Sequence, residues 1–131
     1  MMARRTYDIE NLFKALADRT RLRLIGLLGD SEVCVCFLVA ILKTSQPKIS
    51  RHLAYLRRAG IVAARREGKW MHYRLTDPPD AHAARIFREV RASLAEHPEL
   101  QRDREKLETV CCAAQLPMQL RRAPRPREMA A

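Results

Sequence analysis

Four cysteines are the residues of this chain best suited to chemistry, and they occur as two close pairs, Cys34/Cys36 and Cys111/Cys112. Thiolates are soft ligands that prefer soft or borderline ions to magnesium or calcium. We expect reduced thiols, because the first residues contain no apolar signal-peptide core and the protein is therefore predicted to be cytoplasmic. Packing in a hydrophobic core is the structural alternative for small cysteines.

The spacing around the first pair does not favour a thiol enzyme. Such an enzyme would need an activated cysteine beside an oxyanion-binding loop. Six residues beyond Cys34 and Cys36 stand Ala40 and Leu42 instead of an arginine, and no glycine-rich loop follows. The sequence therefore predicts ligand binding by these thiols and no catalysis.

The charge balance indicates an anionic partner. The 131 residues include 25 basic and 15 acidic side chains, which gives a net charge of +10. Such an excess favours nucleic acid or a lipid surface. No membrane segment is predicted, because no apolar run approaches the ~20 residues of a membrane span. Residues 43–75 hold nine basic side chains and a single acid, Glu67, so the positive charge is concentrated there.

The hydrophobic pattern predicts a mainly α-helical fold with a small β-hairpin wing. Apolar residues at helical spacing mark a helix from Ile9 and a second helix that Asp18 or Thr20 can cap, and residues 33–42 fit a short buried helix or strand. Ser45 is a good N-cap for the following helix, and Gly60 ends it. Two strand-like runs then flank a Glu-Gly turn, which completes a winged helix-turn-helix.

The chain divides near residue 97. Residues 1–97 are predicted to form the DNA-binding and dimerisation domain, with a helical stripe between Ala83 and Leu94. Residues 98–131 form a C-terminal extension, with a short helix over 99–108, the second cysteine pair and a basic, proline-rich tail that is expected to be disordered.

The predicted second helix of the motif, residues 46–59, carries the groups that read DNA. Glutamine can pair with adenine and arginine with guanine in the major groove, while serine tolerates either. Basic residues near the hairpin tip are expected to follow phosphates. The predicted DNA-binding residues are Gln46, Lys48, Ser50, Arg51, Tyr55, Arg65, Arg66 and Lys69. A non-specific architectural DNA-binding protein is the alternative.

Residues 32–75, EVCVCFLVAILKTSQPKISRHLAYLRRAGIVAARREGKWMHYRL, resemble the ArsR/SmtB family of metalloregulatory repressors. They are most similar to its arsenic-responsive branch, in which ELCVCDL precedes SQPKISRHL. The resemblance implies a homodimer that binds operator DNA without ligand and is released when trivalent arsenic or antimony binds. It also implies a dimer interface formed by the first helix and the helix that contains Ile86, Phe87 and Val90.

The thiol site departs from this pattern in one position. The resemblance implies three sulfur ligands, and Val39 stands where the branch often has its third cysteine. We therefore hypothesise that Cys111, Cys112 or both complete the Cys34/Cys36 site. A redox-sensing repressor and a cadmium-, lead- or zinc-responsive repressor of the same fold remain alternatives.

The spacing of the first pair also predicts a mechanical coupling. In a continuous helix, Cys34 and Cys36 would point about 200° apart and would not share one ion. We therefore expect the helix start to unwind when an ion binds. Cys34 as an N-cap lacks a capping oxygen, which weakens that start by about 1 kcal/mol. The helix N-terminus is expected to lower the thiol pKa and favour the thiolate.

Overall fold

The computed structural model describes residues 6–111, 120 and 122–129. Its elements are α1 (Ile9–Leu16), α2 (Arg19–Leu28), β1 (Ser31–Cys34), α3 (Val35–Leu42), α4 (Gln46–Arg58), β2 (Val62–Glu67), β3 (Trp70–Leu75), α5 (Ala81–Ala95), α6 (Pro98–Cys111) and β4 (Arg127–Glu128). The predicted winged helix-turn-helix is confirmed, with α3 and α4 as its helix pair and β2–β3 as its wing.

Aspartate side chains fix the starts of three helices. Asp8 accepts a hydrogen bond from the backbone N–H of Glu10 at 3.0 Å, and Asp18 accepts one from Arg21 N–H at 3.0 Å. Asp80 caps α5 in the same way. Each carboxylate satisfies a backbone donor that has no partner within the helix and also interacts favourably with the helix dipole.

The core is built from aliphatic side chains and two phenylalanines. Leu24 and Leu28 of α2 pack with Phe37 of α3, Leu53 of α4 and Phe87 of α5, all at most 1% exposed. Burying one such side chain contributes about 1.5–3 kcal/mol. This shared core fixes the position of α4 relative to α2 and α3.

Strand β1 joins the helical core to the wing. The sheet order is β2–β3–β1–β4, with antiparallel pairing throughout. Val33 lies opposite Tyr73, and Cys34 lies opposite His72. The apolar run 33–42, which fitted either a helix or a strand, is therefore divided into the end of a strand and a helix.

Helix α6 packs on α2 through a buried ion pair. Arg23 Nε and Nη2 both donate to the Asp103 carboxylate at 2.9 Å, and Asp103 is only 1% exposed. Leu100 packs so closely on Gly26 that an added Cβ there would lie 2.8 Å from its Cδ2. The predicted helix over 99–108 exists and is longer, and it packs against the core of the predicted first domain.

The described part of the C-terminal tail is ordered against the domain, whereas the composition predicted disorder. Leu120 is 1% exposed, and Arg127–Glu128 pairs with Ser31 and Glu32 of β1. Backbone pairing supplies partners that composition does not reveal. Within the described ranges, none of the helices is long and apolar enough to cross a membrane.

Candidate nucleic-acid interface and thiol site

The recognition helix α4 presents a polar face to solvent. Ser45 stands at its N-cap in extended conformation, and Pro47 occupies its first turn, where a missing N–H costs nothing. Ile49, Leu53 and Leu56 are buried at i, i+4 and i+7. The opposite face therefore exposes the residues that were predicted to read DNA, which are Gln46, Lys48, Ser50, Arg51 and Tyr55.

Two arginines hold the aromatic ring of Tyr55 on this surface. The guanidinium carbons of Arg21 and Arg58 lie 4.5 and 5.4 Å from the ring centroid. Arg21 also donates to the carbonyl oxygens of Lys14 at 2.8 Å and Ala15 at 3.0 Å. Arg21 thus ties the end of α1 to the recognition helix, a role that no local pattern in the sequence signals.

The three basic residues of the wing that were predicted to follow phosphates differ in their surroundings. Arg66 and Lys69 are exposed near the turn. Arg65 instead donates to both carboxylate oxygens of buried Glu32, at 2.6 and 3.1 Å. The guanidinium of Arg65 holds the pKa of Glu32 below its usual range. In the free protein Arg65 is thus engaged within the sheet, and its contact with phosphate stays a prediction.

The two thiols meet at the junction of β1 and α3. Cys34 is the last residue of β1 and the N-cap of α3, with φ −67° and ψ 141°, and its side chain makes no capping hydrogen bond. Cys36 is the second residue of the helix. The predicted uncapped start is confirmed. The separation of about 200° holds for a continuous helix and does not apply here, because Cys34 is extended. The expected unwinding of the helix start on ion binding stays a prediction.

Burial sets the acidity of Cys34. The side chain is 0% exposed, and this burial raises the pKa of Cys34 to about 11. The amide of Cys36 favours the thiolate, but it is outweighed by burial and by the neighbouring Cys36 side chain. The expectation that the helix start would lower the pKa of this thiol was therefore wrong, because a thiolate is poorly solvated in this position.

The raised pKa predicts a pH-dependent stability. The folded state holds the Cys34 proton more tightly than the unfolded chain, so stability is fully present below the ordinary thiol pKa and falls as pH rises towards 11. We expect a loss of about 2 kcal/mol between pH 8.5 and 11. Urea unfolding at fixed protein concentration measures it, with Cys34→Ser as the control. An equal change of the free energy of unfolding with pH in both proteins would contradict the prediction.

A groove of about 380 Å³ opens beside the second thiol. It is lined by Cys36, Val39, Ala40, Lys43, Thr44, Gln46 and Leu120. Val39 and Ala40 belong to α3, and Gln46 is the first residue of the recognition helix. A ligand on Cys36 would therefore contact both helices of the DNA-reading motif.

Of the second cysteine pair, the structure describes the first residue, Cys111. Cys111 is the last residue of α6, and Arg125 Nη1 donates to its carbonyl oxygen at 2.7 Å. Cys112 lies outside the described residues. Among residues 6–111, 120 and 122–129, no three His, Cys, Asp or Glu side chains are grouped to hold a metal. The hypothesis that Cys111, Cys112 or both complete the Cys34/Cys36 site therefore stays a prediction.

His72 lies beside the thiol site, in a position that the sequence did not predict. The alternating pattern of β3 puts it on the outer face of the wing, yet it is 3% exposed and lies opposite Cys34. Its Nε2–H donates to Glu67 Oε1 at 3.1 Å. Pairing of β1 with β3 places Cys34 directly beside His72 in the sheet, and this long-range pairing has no local signal.

Comparison with known proteins agrees with this architecture. Residues 18–64 match the family described as "Bacterial regulatory protein, arsR family". The arsenical resistance operon repressor of Escherichia coli K12 is 54% identical over 80 residues, which cover 60% of this chain and 68% of that protein. The arsenic resistance transcriptional regulator ArsR1 of Pseudomonas putida KT2440 is 57% identical over 65 residues, which cover 49% of this chain and 51% of that protein.

Solved structures show the same fold. HlyU from Vibrio cholerae N16961 superposes with a TM-score of 0.55 at 32% identity, over 65% of this chain and 89% of that one. The AntR antimony-specific transcriptional repressor gives 0.53 at 28% identity, over 78% and 93%. The polar face of α4, the wing and the sequence similarity lead to one conclusion: the chain belongs to the arsR family of bacterial regulatory proteins.

Proposed function

We propose that this protein is a metalloid-responsive transcriptional repressor of the cytoplasm. It binds operator DNA as a homodimer and is released when trivalent arsenic or antimony binds Cys34 and Cys36. The observation that carries the proposal is the position of the two thiols at the start of α3, the helix that packs on the recognition helix. The names of the arsenical and antimony repressors among the similar proteins support this ligand class.

The exposed surfaces support the proposed DNA-binding dimer. Ile9 and Phe13 are 39% and 54% exposed on α1, an apolar face that a second subunit would cover. Ile86 and Val90 of α5 are half-buried, whereas Phe87 is already 0% exposed within one subunit. A twofold dimer that presents two α4 helices would span half-sites about 34–36 Å apart.

We expect Arg51→Ala to weaken operator binding by about 1–3 kcal/mol, because an exposed arginine on α4 can form a bidentate contact with guanine. Fluorescence anisotropy with a labelled operator duplex measures the change. Arg102→Ala, which removes an exposed arginine from α6, is the matched control and should have little effect. Equal losses for both variants would indicate that only net charge matters.

The chemistry of arsenous acid suits a protonated, buried thiol. Each As–O bond that breaks releases hydroxide, which leaves with the thiol proton as water while an As–S bond forms. Two thiols thus yield two As–S bonds and two water molecules, with no oxidant. A divalent cation would instead displace the Cys34 proton into solvent.

A third sulfur from Cys111 or Cys112 would complete the site, and Val39→Cys tests the need for it. Val39 follows Cys36 by one helical turn and lines the same groove. In a Cys111→Ser/Cys112→Ser background we expect Val39→Cys to tighten arsenite binding by about tenfold, or about 1.4 kcal/mol. Calorimetric titration measures it, with Ala92→Cys on α5 as the control. A gain as large for Ala92→Cys would contradict the assignment.

The proposed function is tested by adding candidate inducers to the operator complex. We expect arsenite and antimonite to release the DNA at concentrations where cadmium, zinc and peroxide do not. Release by peroxide alone would indicate the redox-sensing alternative, and release by cadmium or zinc alone would indicate a divalent-cation sensor. Binding that depends on salt, without sequence preference or any response to metalloid, would indicate an architectural protein.

A further inference from the structure

Three residues that lie opposite one another on neighbouring strands connect the buried thiol to the wing. Cys34 of β1 lies directly opposite His72 of β3, and His72 lies directly opposite Arg65 of β2. Directly opposed residues of antiparallel strands project from the same face, with Cβ atoms about 4.5–5.5 Å apart. Cys34 and His72 are 0% and 3% exposed. A group bound to the Cys34 sulfur on this face would therefore lie against the imidazole.

The imidazole is also bonded to the turn of the wing. His72 Nε2–H donates to Glu67 Oε1 at 3.1 Å, and Arg65 Nη1 lies 3.7 Å from the other carboxylate oxygen. Glu67 is the last residue of β2, and it lies opposite Trp70 across the hairpin. Lys69, an exposed basic residue of the turn, stands over the Trp70 ring at 5.0 Å. His72 thus contacts both the strand that carries Cys34 and the basic tip of the wing.

We propose that His72 transmits inducer binding at Cys34 to the wing, an inference that rests on the proposed function. The face is closely packed, so a metalloid on the Cys34 sulfur takes space that the imidazole occupies. The ring turns away, its hydrogen bond to Glu67 breaks, and the turn that carries Lys69 moves relative to the phosphates. His72 is a positioning residue in this scheme and is not itself a ligand of the metalloid.

The experiment compares operator affinity with and without arsenite in the full-length protein. Allosteric couplings are typically about 5–150-fold, and we expect the parent to fall in this range. His72→Leu and Glu67→Ala should reduce the ratio of the two affinities to within about twofold of one. His72→Gln, whose amide can donate to the same carboxylate, should keep most of the coupling. His82→Leu, which changes an exposed histidine of α5, is the matched control.

Two further readouts separate this role from a merely structural one. Arsenite binding, measured by calorimetry, should persist in His72→Leu and Glu67→Ala and should be at least as tight as in the parent, because the thiols remain and the hydrogen bond that binding breaks is absent. Trp70 is the only tryptophan and lies on the wing, so its emission should change with arsenite in the parent and not in His72→Leu. Glu67 is half-exposed, so Glu67→Ala keeps the test valid if His72→Leu fails to fold.

The outcomes are distinguishable. If arsenite lowers the operator affinity of His72→Leu and Glu67→Ala by the same ratio as in the parent, the inference is overturned while the proposed function stands. If arsenite does not release the parent protein from DNA, the proposed function fails and the inference fails with it.

Discussion

Cys34→Ser and Cys36→Ser are each expected to abolish the release of operator DNA by arsenite while DNA binding itself persists. Each substitution removes a sulfur from the β1–α3 junction but leaves the exposed face of α4 unchanged. A hydroxyl is a poor ligand for a soft ion. The ratio of operator affinities with and without arsenite should therefore fall from about 5–150-fold to about one.

Anisotropy titrations of both variants and the parent measure this ratio. Cys111→Ser is the comparison variant, because it changes the same atom at the end of α6 and removes one candidate for the third ligand. A smaller, partial loss in this variant would indicate that the second pair contributes a ligand. Full release of the Cys34→Ser and Cys36→Ser variants by arsenite would show that the inducer binds elsewhere.

Arg23→Leu is expected to destabilise the folded protein by about 3 kcal/mol. It leaves the Asp103 carboxylate, which is 1% exposed, without the two hydrogen bonds that it now accepts. Removing one partner of a buried ion pair typically costs about 3–5 kcal/mol, because the remaining charge is uncompensated. We take the lower end because Arg23 itself is about a quarter exposed.

Urea unfolding at a fixed protein concentration measures the loss. Arg19→Leu is the control, because Arg19 pairs with Glu99 on the same surface of α6 but is 73% exposed. Its loss should stay below about 1 kcal/mol, as for surface ion pairs in general. Comparable losses for the two variants would contradict the view that the buried pair holds α6 against α2.

Local signals were sufficient to predict the DNA-reading unit. The N-cap at Ser45 and the buried spacing of Ile49, Leu53 and Leu56 define α4 to within a residue of the predicted range. The wing follows from two strand-like runs around Gly68, whose φ of +58° suits glycine in a turn. These features depend on neighbours in sequence, so a single sequence contains them.

Features that depend on distant partners were not predictable in the same way. Strand β1 exists because it pairs with β3, about 40 residues later in the chain. That pairing makes Cys34 extended, sets it beside His72 and brings Glu32 to Arg65. The sequence located the thiols correctly beside the helix start, but it could not show that the first of them belongs to a strand.

Arsenic K-edge X-ray absorption of the arsenite-loaded protein tests the central claim most directly, because it reports which atoms bind the metalloid. Sulfur neighbours in the parent, replaced by oxygen in a Cys34→Ser/Cys36→Ser variant, are the predicted result. The same sulfur coordination in that variant as in the parent would contradict the assignment of the inducer site to the β1–α3 junction.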